Sequence, residues 1–101
     1  MSGMPIKTYQ KTAIERRRLR IDYSCWLEET EMLIATQVTI TPYTADAPLT
    51  VTTGYTDIAQ KELVVFVGGG RPGVAYVMSF VVQTDQGQVK QDDIGMRLMN
   101  L

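Results

Sequence analysis

Cys25 is the side chain closest to a ready nucleophile in this sequence, followed by Ser24 and Ser79. None of them has a partner to activate it, because the 101 residues include no His. A serine or cysteine nucleophile needs an adjacent base, and His is also the commonest transition-metal ligand. Cys25 is therefore expected to be a small buried hydrophobe beside Trp26, the only Trp. Asp92 and Asp93 form a carboxylate pair on paper. Neighbours in a strand point to opposite faces, so they are expected to be surface charges blunting a last, edge strand. Glu28, Glu29 and Glu31 flank Thr30 without the Asp/Asn/Gly spacing of a calcium loop, which predicts a solvated corner. Gly68-Gly69-Gly70-Arg71-Pro72-Gly73 has no Gly-Lys-Ser/Thr ending and no helix after it to hold a phosphate, so it reads as a wide hairpin loop needing positive φ. No catalytic, metal or cofactor site emerges, and the chain is expected not to be an enzyme.

The remaining chemistry is charge. Residues 1–20 hold six bases (Lys7, Lys11, Arg16, Arg17, Arg18, Arg20) and one acid, Glu15, whereas the rest holds four bases and ten acids. A positive leader on a negative body implies a partner for the leader. Lys7, Tyr9, Lys11, Arg16, Arg17, Arg18 and Arg20 are the candidate interaction residues. The partner is another protein, a second copy, or, as a lesser alternative, nucleic acid held through its phosphates. Against nucleic acid stand an acidic body and the lack of strand aromatics placed for base stacking.

The elements that must position these residues read as β-structure. In Arg18 to Leu27, Leu19, Ile21 and Tyr23 alternate with Arg18, Arg20 and Asp22, the period of a half-buried strand. Trp26 and Leu27 then plug one end of the core. Met32 to Thr41 is a second strand, with Ile34, Thr36, Val38 and Ile40 on one face and Pro42 as its stop. Leu49 to Thr53 is a third, broken at Gly54, and Tyr55 to Gln60 is a loop. Glu62 to Val67 is a fourth, an apolar run that suggests burial on both faces or a face covered by another chain. Val74 to Thr84 is the longest, with Tyr76, Met78, Phe80 and Val82 on one face and Ala75, Val77, Ser79, Val81 and Gln83 on the other. Asp85-Gln86-Gly87 is a turn, and Gln88 to Leu101 the final strand, where Gly95 suggests a bulge. Thr12-Ala13-Ile14-Glu15 has capping-box form and permits a short helix over 13–18. Six or seven short strands predict an all-β, immunoglobulin-like two-sheet antiparallel sandwich over 18–101. An extended basic arm is expected over 1–17, whose removal should leave the body folded. No apolar run is long enough to span a bilayer, and no signal core marks the N-terminus.

Several motifs together resemble a group of small tailed-phage virion proteins. They are Asp22-Tyr23-Ser24-Cys25-Trp26-Leu27 (D-Y-S-x-W-L), the acidic turn Glu28 to Glu31, Val65 to Gly73, Tyr76-Val77-Met78, and Thr84-Asp85-Gln86-Gly87 through Asp92-Asp93. The resemblance covers residues 18 to 101. It departs at Glu29-Thr30, where a Gly-Glu turn is usual, and in lacking an Arg after Gly87. It implies an immunoglobulin-like structural part of the virion, of the fibre–tail adaptor type, with Asp22, Tyr23, Trp26 and Leu27 as its core motif. The implied partners are tail, fibre or capsid proteins and further copies of the chain, with no membrane and no cofactor. A head decoration protein cementing the capsid is the alternative. Synthesis in the host cytoplasm and residence in the virion follow from either.

Overall fold

The computed structural model describes residues 7–57 and 61–100, with side chains of 53–57 left aside. Seven strands follow in order: β1 Lys7–Lys11, β2 Arg17–Asp22, β3 Leu33–Thr41, β4 Leu49–Asp57, β5 Glu62–Gly69, β6 Ala75–Thr84 and β7 Val89–Leu98. They form two sheets, one of four strands in the order β1-β7-β6-β3 and one of three in the order β2-β5-β4. The all-β two-sheet expectation therefore holds. All pairings are antiparallel except β1 with β7, which is parallel.

The core lies between the sheets, as period-two alternation dictates. The larger sheet contributes Tyr76, Met78, Phe80 and Val82 from β6 and Ile94, Met96 and Leu98 from β7. The smaller contributes Leu19 and Ile21 from β2, Leu63, Val65 and Val67 from β5, and Leu49 from β4. Val64 faces the other way and is also fully buried, so β5 is covered on both sides at that point. Phe66, on the same outer face, is only half-buried.

Of the stretch expected as a basic arm, residues 7–11 are built into the larger sheet as β1. Gly95 makes that pairing possible. A Cβ there would sit 2.8 Å from the Thr8 hydroxyl oxygen. The β6–β7 register runs unbroken past Gly95, so the residue serves close approach of β1 and not a bulge.

Two corners carry the chain between sheets by the same device. At Thr12 to Glu15, the Glu15 N–H donates to the Thr12 carbonyl, and the Thr12 N–H donates to Glu15 Oε1. At Glu28 to Glu31, the Glu31 N–H donates to the Glu28 carbonyl, and the Glu28 N–H donates to Glu31 Oε1. The reciprocal bonds of a capping box thus close a turn, and the helix it permits over 13–18 does not form. The strand after each turn pairs across a sheet instead, which a helix would forbid.

Other expectations are corrected. Gly54 does not end β4, which continues to Asp57 past a register shift between Thr53 and Tyr55. The expected loop over 55–60 is thus strand to Asp57, and 58–60 lie outside the described residues. β7 is not an edge but lies between β1 and β6. Asp92 and Asp93 are accordingly buried, each with a partner. Lys90 Nζ donates to Asp92 Oδ1, and Ser79 Oγ donates to Asp93 Oδ1 at 2.7 Å. The glycine loop does use positive φ, at Gly69, Gly70 and Gly73.

Candidate functional site

The outer face of the smaller sheet collects the basic residues. Along β2 the alternation turns Leu19 and Ile21 inward, leaving Arg18, Arg20 and Asp22 exposed. Register sets Arg18 beside Phe66 and Arg20 beside Val64 of β5. Arg16, just before the strand, lays its guanidinium 4.4 Å from the Phe66 ring centroid. Such a contact holds a planar cation against an aromatic face. Arg20 Nη1 pairs with Glu62 Oε1 at 3.1 Å, an exposed ion pair of small worth. Arg16, Arg18 and Arg20 therefore form a basic stripe around a half-buried phenylalanine.

The other candidates are elsewhere. Arg17 donates to the Gln10 carbonyl at 2.7 Å, joining β2 to β1. Lys7 is exposed, its ammonium 5.0 Å from the ring centroid of Tyr9, which packs on the core. Lys11 is 1% exposed. Its ammonium donates to the carbonyls of Gly69 and Thr12. Burial pushes its pKa below the ordinary value, against the opposing pull of Glu15. Lys11 is spent inside the fold.

The D-Y-S-x-W-L segment is a corner that closes one end of the core. The Asp22 carboxylate accepts the Ser24 N–H at 2.8 Å, and the Ser24 bonds hold its pKa below the usual carboxylate range. The Tyr23 carbonyl then accepts the N–H groups of both Trp26 and Leu27. Tyr23 and Leu27 are buried. Trp26 is only half-buried, its ring 5.8 Å from that of Tyr23 at an interplanar angle of 56°. Burial, with Asp92 nearby, pushes the Tyr23 phenol well above its usual range. Its hydroxyl has no hydrogen-bond partner among the described residues. Cys25 is exposed, contrary to expectation, because the tight turn carries Ser24 and Cys25 outward while Tyr23 and Leu27 turn in.

The acidic corner is not wholly solvated either. Glu31 is buried. Its carboxylate accepts from the Thr84 hydroxyl, the Glu28 N–H and the Gln88 amide, bonds that hold its pKa below the usual range. Among the described residues, no group of three or more His, Cys, Asp or Glu side chains is placed to hold a metal ion. No described helix is long and apolar enough to cross a membrane. Sequence reading missed Phe66 as the platform for Arg16. The signal was present, since a pairing of β2 with the ELVVFV strand sets aromatic beside arginine, but the register was not readable.

The described residues thus form an all-β two-sheet body with a basic stripe on one outer face. The chain belongs to the Gp77 family, described as podophage GP4 fibre-tail adaptor protein gp77, which matches residues 11–97. No curated protein matches the chain. The protein is thus a structural component of the phage virion, an adaptor joining tail and fibres. The family match favours the tail over the head-decoration alternative. The matched span contains the basic stripe, the D-Y-S-x-W-L corner and six of the seven strands complete or nearly so.

Proposed function

We propose that the adaptor is held in the tail through the basic stripe of Arg16, Arg18 and Arg20, which meets an acidic surface on a neighbouring virion protein or a second copy of the chain. The single observation that carries this reading is the gathering of three arginines on one outer face around Phe66. A charged rim around an aromatic anchor is how protein contacts combine orientation with burial. The protein is not an enzyme, binds no nucleic acid in this role, and is made in the host cytoplasm before assembly.

The body is of the immunoglobulin type. The order β2-β5-β4 facing β3-β6-β7 supports this. So does Tyr76 at the start of β6, whose hydroxyl accepts the Arg71 N–H at 2.8 Å. A tyrosine reaching back to backbone at that corner is a mark of such sandwiches.

Deleting residues 1–17 would remove β1 and Lys11 along with the charge, so point changes are the cleaner test. Arg18→Glu in the full chain should leave thermal unfolding unchanged, since Arg18 is exposed. Incorporation into particles should fall at least tenfold, with Arg18→Lys close to wild type. Wild-type incorporation of Arg18→Glu would overturn the reading.

A further inference from the structure

Among the described residues the sandwich has four sheet edges, and three are guarded. β2 carries Arg17, Arg18, Arg20 and Asp22, and β1 carries the exposed Lys7. β4 has an irregular register at Thr53/Tyr55 and ends on Asp57. Charges and bulges on an edge discourage further strands. β3 is different. It ends the larger sheet, with β6 on one side, and its other side accepts no hydrogen bond from any described residue. From Leu33 to Thr41 it holds no charged residue, and neither does β6 from Ala75 to Thr84. Its one irregularity falls at Leu33/Ala35, so Ala35 to Thr41 is a regular, open run of about 23 Å at the usual rise per residue.

Open grooves flank the strand on both faces. One is lined by Val38, Ile40, Tyr43 and Leu49, the other by Ala35, Gln37, Val81 and Gln83. Ile34 and Tyr43, near the two ends, are 63% and 79% exposed. We propose that Ala35 to Thr41 is a docking edge, which takes an uncharged extended segment of another virion protein as a fifth strand of the larger sheet.

The chemistry selects that occupant. Unpaired backbone N–H and C=O groups on an edge are met by a strand and not by a helix. The side chains beside the edge are uncharged and partly apolar, so a charge on the incoming strand would lose water and gain no partner. A two-fold pairing of β3 with β3 of a second copy satisfies the same groups. It would leave both copies without an open edge for an unlike protein, which an adaptor requires. The inference rests on the adaptor reading and not on the basic stripe, which lies on the opposite sheet.

Hydrogen–deuterium exchange of the full chain, free and in purified virions, tests it. In the free protein, amides of 35–41 that are not bonded to β6 should exchange rapidly. In virions they should slow at least tenfold. Unchanged rates in virions would overturn the proposal and leave the adaptor reading intact. Absence of the protein from purified virions would overturn both. Slow exchange in the free protein, together with a dimer by sedimentation, would assign the edge to a second copy and overturn the proposal. Gln37→Lys with Thr39→Lys adds charge at two exposed positions. Particle incorporation should fall at least tenfold with melting unchanged, while Gln10→Lys on β1 incorporates normally. Normal incorporation of the double variant would count against the docking edge.

Discussion

The ammonium of Lys11 donates a hydrogen bond to the carbonyl oxygen of Gly69, 2.6 Å away and 58 residues distant in sequence. The bond ties the end of β1 in the larger sheet to the end of β5 in the smaller. A buried cation whose partners are backbone carbonyls is held by geometry, since no described carboxylate neutralises it directly. Lys11→Met should lower stability by about 1–3 kcal/mol, the cost of losing a charged donor's hydrogen bonds to part-buried carbonyls. Urea unfolding of both proteins measures it.

The same lysine predicts a pH dependence. Its folded pKa lies below the 10.5 of an ordinary lysine. Between those two values the unfolded chain binds more protons than the folded one, so stability from this group rises with pH. Lys11→Met lacks that increment. The stability difference between wild type and variant should therefore widen as pH is raised towards 10.5.

Glu31 should act with the opposite sign. The Thr84 hydroxyl, then the Glu28 N–H and the Gln88 amide, favour its charged form. Its contribution is complete above the ordinary carboxylate pKa and disappears as pH falls through the lowered folded value. Glu31→Gln turns an acceptor towards three donors into a group with its own N–H. The variant should be less stable at neutral pH, and the gap should close on acidification. Thermal melts across the acid range check this.

Two glycines with similar φ should respond differently to alanine. Gly87 has φ 86° and open space around its missing Cβ, so Gly87→Ala should cost only the left-handed strain, about 1 kcal/mol. Gly69 has φ 67°, and a Cβ there would lie 2.5 Å from the Pro48 carbonyl oxygen. Backbone cannot step aside as a side chain can. Gly69→Ala should cost more than about 3 kcal/mol or abolish folding. Equal costs at the two sites would contradict the hairpin geometry.

Gly95 tests the docking of β1. Gly95→Ala should displace Thr8 and loosen the parallel β1–β7 pair, seen as faster amide exchange over residues 7–11. Thr8→Ala in the same chain should restore part of the loss, giving a coupling of about 0.5 kcal/mol or more in a double-mutant cycle.

Much of the fold was readable before the structure. Strands β2, β3 and β6 appear where alternation placed them, and β5 where a continuous apolar run did. The turn at Gly87 and the glycine hairpin follow from residue types that tolerate positive φ. The site was less legible. Cys25, Trp26, Asp92, Asp93 and Glu31 each take a burial opposite to, or short of, what their types suggested. Side-chain burial at corners and in central strands depends on neighbours far away in sequence. Asp93 is buried because Ser79 lies opposite it, and Glu31 because Thr84 and Gln88 reach it.

From the chain alone came its all-β character, the inward faces of most strands and the lack of any histidine-based chemistry. Those are local properties, set by residue type and a period of two. Only the tertiary structure decided that part of the basic leader is a sheet strand, that Lys11 is internal, and that Arg16, Arg18 and Arg20 share a face with Phe66. Strand order and register join residues dozens of positions apart, and a one-residue slip would reverse every face.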